Sequence, residues 1–199
     1  MKLAAILFLL SASIWETKAP ADWTDDELVR LFTDSPWAQM VEAPGTKESH
    51  GEAVQMYLAS AAPMQEAEKE RERRYLRKAN GPVQEDPMAA EERIWMEDNR
   101  AEQIVIAIRI QRAQEFDDSR EVRRMEDECV MRVGRRKSKM AGHFPPTAHD
   151  PYLRIAFPRQ MTESDKSVTF ELYVPGARPP FRSAEFRLKD MMWKGKLEL

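Results

Sequence analysis

The sequence predicts an α+β fold: a mostly antiparallel sheet with helices packed on one face, two layers in all. Three observations carry this reading. Residues 168–174 and 181–189 alternate between apolar and polar side chains, as strands do when one sheet face is buried and the other is wet. Residues 103–110, QIVIAIRI, form an almost wholly apolar run, rich in β-branched residues, suited to a central strand covered on both faces. Charged helical patterns fall among these strands without the regular strand–helix alternation of a parallel sheet.

The chain opens on an export address. Lys2 precedes the uncharged run LAAILFLLSASIW at residues 3–15, which is short for a bilayer span and suits the apolar part of a signal peptide. Ala19-Pro20-Ala21 supplies the small residues of a cleavage site, so residues 1–21 read as a signal peptide and 22–199 as one α+β domain. Thr17-Lys18-Ala19 and, more loosely, Ser11-Ala12-Ser13 are alternative cuts. No later stretch approaches a transmembrane segment, and the expected location is secreted or periplasmic.

A chain of 199 residues can bury one sizeable core. Its net charge of -3 gives no overall attraction to nucleic acid or to an anionic membrane. Seven glycines argue against Gly-rich phosphate loops, and twelve methionines suit a core with adaptable, gap-filling side chains. Cys129 stands alone, so no internal disulfide can form.

Each element has a local reason. Thr24 and Glu27 have capping-box spacing, with Leu28, Leu31 and Phe32 as the apolar stripe behind them. Ser35-Pro36 reads as the N-cap and first residue of another helical turn bearing Trp37. Residues 44–51 read as loop; Val54, Met56 and Leu58 alternate as a strand. Pro63 opens a charged helix that Asn80-Gly81-Pro82 ends. Asp86-Pro87 starts the next helix, with Met88, Glu92 and Trp95 on one side and Ile94 at the border. Asp117, Asp118 and Ser119 offer N-caps for a helix to Glu128, and Cys129, Met131 and Val133 alternate as a short strand. Residues 152–157 form a further strand with Leu153, Ile155 and Phe157 inward and Arg154 outward; Glu171, Arg187 and Lys189 are the other outward positions. The last ten residues, DMMWKGKLEL, make a terminal strand or a hairpin arm about Gly195.

Little in this pattern promises chemistry. His143, His149 and Asp150 are the most suggestive group, but Pro145-Pro146 forbids a helix between the histidines and His50, a third ligand, is remote in sequence. A connector between strands is the preferred reading, leaving no residue assigned as a metal ligand. Cys129 reads as a buried, inert thiol because nothing nearby in sequence lowers its pKa. The acidic residues at 25–27 are explained by capping. Of two basic stretches, KERERRYLRK reads as a solvated helix with local ion pairs around Glu70 and Glu72. The other, RVGRRKSK, is cationic through Arg135, Arg136 and Lys137 but lacks interleaved aromatics for nucleic acid, and reads as a surface hairpin or loop. Nucleophile elbows, zincin motifs, P-loops and dinucleotide fingerprints do not occur.

DWTDDELVRLFTDSPWAQMV, LASAAPMQEA, YLRIAFPR and FRLKDMMWKGKLEL together resemble a group of uncharacterised exported bacterial proteins. That group shares a W-T-D-x-E start followed by S-P-W-A, a strand ending in F-P-R, and an L-K-D-M segment closing in G-K-L-E-L. The resemblance implies export and a single domain, and carries no site residues. The expected function is a non-catalytic interaction module that binds an unidentified envelope or secreted protein, with no catalytic residue and no cofactor assigned. The competing expectation is a metal-assisted hydrolase using His143, His149 or His50 with a carboxylate.

Overall fold

The computed structural model describes residues 13–43, 53–79, 86–111, 116–147, 149–162 and 164–199. The loop with His50 and the Asn80-Gly81-Pro82 stop lie outside them, as does most of the apolar run at the N-terminus. No helix of the described residues is long and apolar enough to cross a membrane.

Among the described residues, helices α1 (Ile14–Thr17), α2 (Asp25–Thr33), α3 (Ala62–Lys78), α4 (Pro87–Asn99) and α5 (Ser119–Glu128) accompany twelve strands. These are β1 (Asp34–Ser35), β2 (Ala38–Val41), β3 (Val54–Leu58), β4 (Gln103–Arg109), β5 (Val130–Val133), β6 (Arg136–Lys139), β7 (Gly142–Phe144), β8 (Tyr152–Pro158), β9 (Ser167–Tyr173), β10 (Phe181–Arg187), β11 (Met192–Trp193) and β12 (Lys196–Leu197). They form a six-stranded sheet in the order β1-β2-β3-β4-β8-β7, a four-stranded sheet β10-β9-β5-β6, and the hairpin β11-β12. Every strand pair is antiparallel. The α+β class holds.

The register sorts side chains into two faces. Tyr57, Ala107 and Arg154 lie in one row across β3, β4 and β8, while Met56, Ile108 and Leu153 lie in the next, pointing the other way. The first face meets the helices: Phe32 of α2 packs edge-on against Tyr57, and Arg71 of α3 lies over Tyr152. The second face meets the four-stranded sheet, where Phe157 packs on Phe170 and Phe170 on Phe186. The two expected layers thus become three, because a single sheet would have left one of these apolar faces wet. Buried side chains from both sheets make one continuous core.

Local signals behave as their chemistry requires. Thr24 Oγ1 accepts from the Glu27 amide at 3.1 Å and the Glu27 carboxylate accepts from the Thr24 amide at 2.8 Å, closing the capping box. Asp86 and Asp118 cap α4 and α5 by accepting from the amides two residues on. Thr24→Ala is expected to lower stability by about 1 kcal/mol, read as a shift in the urea midpoint.

Several expectations change. Ser35-Pro36 does not open a helix. Ser35 Oγ donates to the Leu31 carbonyl and accepts from the Trp37 amide, turning the chain tightly between β1 and β2. Cys129 ends α5 rather than starting a strand. Of the two alternatives for the basic stretch, hairpin or loop, the hairpin of β5 and β6 forms, and the connector beyond it contains the short strand β7. The terminal segment is a hairpin, turned by Lys194 and Gly195 at positive φ of 49° and 77°.

Residues before α2 lie against this frame. Trp15 meets the buried Trp37 edge-on with ring centroids 5.6 Å apart, and the Trp193 indole donates to the Trp15 carbonyl at 3.1 Å. Lys18 Nζ reaches a Glu27 carboxylate oxygen at 2.5 Å.

Candidate functional site

Arg154 is the centre of the densest polar cluster among the described residues. The sequence places it on the outward side of its strand, but α3 and α4 cover that side and leave it only 5% exposed. Carboxylates from three different segments surround it; Nη1 and Nη2 donate hydrogen bonds, while Nε is in ion-pair contact without hydrogen-bond geometry. Nη2 lies 3.0 Å from Glu68 of α3, Nε 2.7 Å from Glu92 of α4, and Nη1 2.6 Å from Asp150 just before β8. A guanidinium suits this task because its planar fork directs donors three ways at once. Tyr57, fully buried, donates to the same Glu68 oxygen at 2.5 Å, and burial raises its phenol well above the ordinary value.

The cluster extends toward α2. Arg71 stacks over the Phe32 and Tyr152 rings, with its guanidinium carbon 4.5 and 4.9 Å from their centroids, and donates to the Tyr152 hydroxyl at 3.0 Å. Tyr152 donates to Gln55, whose amide donates to the Phe32 carbonyl at 2.9 Å. Glu70, on the neighbouring side of α3, is 4% exposed and not part of a solvated face. Arg73 and Arg74 clamp it, holding its carboxyl down to about 2, and Arg74 also reaches Asp25 and the Trp23 carbonyl. These contacts pin α3 to the chain leading into α2.

Charge is unequal at the hub, where three carboxylates converge on Arg154 and Arg71 adds only a longer contact, 3.9 Å, to Glu68. Burial pushes the Glu92 carboxyl up to about 7; Glu68 and Asp150 add to the rise, against the pull of Arg154. In the unfolded chain the same carboxyl titrates near 4.5. The folded state therefore binds the extra proton in the window between those values, and this residue's contribution makes the protein more stable as pH falls through it. His143, held below 6.5 by burial, works in the opposite direction. The comparison of wild type with Glu92→Gln isolates the carboxyl: between about pH 8 and pH 5 the wild type should gain on the order of 2 kcal/mol relative to the variant, measured by urea unfolding.

Among the described residues, His143 and His149 do not converge on a metal centre. His143 sits in β7 opposite Ile155, with Nδ1 3.8 Å from Glu126. His149 lies in the turn closed by the Thr147 amide and the Asp150 carbonyl, and Asp150 is committed to Arg154. The connector reading thus gives way to an edge strand followed by a turn. Among the described residues no group of three His, Cys, Asp or Glu side chains could hold a metal ion. Cys129 is fully buried, with Sγ between the amide and carbonyl of Tyr173, and burial pushes its thiol up to about 12. Such a thiol is neither a ready nucleophile nor a ready metal ligand.

The other basic stretch forms the β5–β6 hairpin. Arg132 pairs with Glu171, Arg136 with Asp165 and Lys139 with Asp127, while Arg135 and Lys137 are exposed. A small surface pocket of about 180 Å³ lies elsewhere, where Met40, Val54 and Ile110 meet the turn at Pro175. Comparison with protein-family models, curated protein sequences and solved structures gives no match.

Sequence reasoning missed Arg154, Glu68 and Glu92. One signal was present: Tyr152, Arg154 and Ala156 share a strand face, and two of the three prefer cover to water. What this arrangement can do is tie β3, β8, α3 and α4 together. No nucleophile or open coordination position accompanies its one near-neutral proton.

Proposed function

We propose that this chain is an exported, non-catalytic module that binds another protein of the envelope or secreted fraction. The observation that supports this most directly is the state of Arg154, which donates hydrogen bonds to Asp150 and Glu68 and lies in ion-pair contact with Glu92, all internal carboxylates. A catalytic centre would keep such groups turned toward a substrate. Here they hold secondary-structure elements in place, which is the work of a scaffold. Export follows from the basic residue, apolar run and small residues at the N-terminus.

The test is fractionation of the producing cell, with N-terminal sequencing and metal analysis of the recovered protein. The expected product lies outside the cytoplasm, begins at Asp22 and holds no stoichiometric metal. Intact Met1 in the cytosol overturns export. Stoichiometric zinc that is lost on His149→Ala replaces the module with a metal-assisted hydrolase.

A further inference from the structure

We infer that the mature chain carries a peptide-binding cleft between Trp37 and Trp193, which takes one helical turn of a partner protein bearing tryptophan followed three residues later by lysine or arginine. The inference rests on the export reading, since it needs the cut after Ala21. The segment that the cut removes shows what the cleft accepts. Ile14–Thr17 is a single helical turn lying on the fold. Its Trp15 ring stands edge-on to Trp37, and its Trp15 carbonyl accepts the Trp193 indole N–H. Lys18 follows at the end of the turn and pairs with Glu27. Three unlike contacts are thus met at once: an aromatic edge, a hydrogen-bond acceptor and a cation.

Cleavage removes the partner of the Trp37 ring edge and of the Trp193 indole, and takes Lys18 from Glu27, which keeps its bond to the Thr24 amide. Trp37, fully buried in the chain as it stands, loses a ring packed on it, and Trp193 loses the acceptor for a half-buried donor. Tryptophan surface of this kind, rimmed by a carboxylate, is what protein interfaces concentrate at their centres. A second copy is a poor occupant. Within residues 22–199 the spacing of tryptophan with a basic residue three positions on occurs only at Trp193 and Lys196, and Trp193 is itself a wall of the cleft. A foreign protein is therefore the occupant, and the module of the previous section acquires a recognition motif.

The test titrates the exported chain, beginning at Asp22, with a synthetic peptide of residues 13–20, Ser-Ile-Trp-Glu-Thr-Lys-Ala-Pro, followed by calorimetry. Saturable binding at one peptide per chain is expected. Replacing the peptide's tryptophan by alanine should abolish it. Trp193→Phe in the protein, which keeps a ring but removes the donor, should weaken it by about fivefold, with the far-UV spectrum unchanged. Added salt should weaken it further through the Lys18–Glu27 contact. Absence of saturable binding overturns the inference, as does binding indifferent to Trp193→Phe. Assembly of the mature chain into dimers that exclude the peptide also overturns it, making a second copy the occupant. An exported protein that retains Trp15 overturns the cleft while leaving export standing, whereas intact Met1 in the cytosol removes both.

Discussion

Arg154→Met is expected to lower the stability of the folded chain by about 3–5 kcal/mol, a large share of the roughly 5–15 kcal/mol that folded proteins commonly have. Methionine fills much of the same volume, so lost packing is a minor component. The cost comes from Glu68, Glu92 and Asp150, which converge on this guanidinium and would lose it under α3 and α4, Glu68 alone keeping Tyr57 and a longer contact to Arg71. Carboxylates in that position relieve themselves by binding protons. The variant should therefore recover stability as pH falls, and its deficit relative to wild type should be greater near pH 8 than near pH 5. Arg154→Lys should fall between the two, because one ammonium cannot direct donors to three separate carboxylates. Urea unfolding of the three proteins at both pH values is the measurement. A deficit of under about 1 kcal/mol at pH 8, equal at the two pH values, would show that the hub does not hold the helices.

The same residue marks where sequence reasoning stops. In YLRIAFP, the apolar set Leu153, Ile155 and Phe157 was legible as a buried face, because side chains alternate across a strand whatever lies around it. That rule does not say what covers the opposite face. The cover for Arg154 comes from Glu68, 86 residues earlier, and from Glu92 on the next helix, and only the folded chain brings them together. Capping signals at Thr24, Asp86 and Asp118 were legible for the opposite reason, since donor and acceptor lie within three residues. Ser35-Pro36 misled because a serine before a proline serves a turn as readily as a helix start. RVGRRKSK was legible only as a hairpin or a loop; the hairpin forms across Gly134-Arg135, with Gly134 at a φ of 59°, but its polar β6 has no apolar alternation that would have singled it out.

Phe170→Ala is expected to cost about 3–5 kcal/mol, through a different mechanism. Phe170 is fully buried in β9 and packs against Phe157 of the six-stranded sheet on one side and Phe186 of β10 on the other, with centroids 5.4 and 6.0 Å away. Removing its ring opens a cavity at the contact between the sheets, where neighbours fixed in strands can collapse only partly. β9 also joins β10 to β5, so the four-stranded sheet has no independent support at that point. If the two sheets share one core, the variant should unfold in a single transition at lower urea with an unchanged dependence on denaturant. Two separate transitions would mean that the sheets fold as independent units. A shift of less than about 1 kcal/mol would mean that the layers are held by their edges, through contacts such as the Gln39 amide donating to the Glu185 carbonyl, and not by the aromatic stack between them.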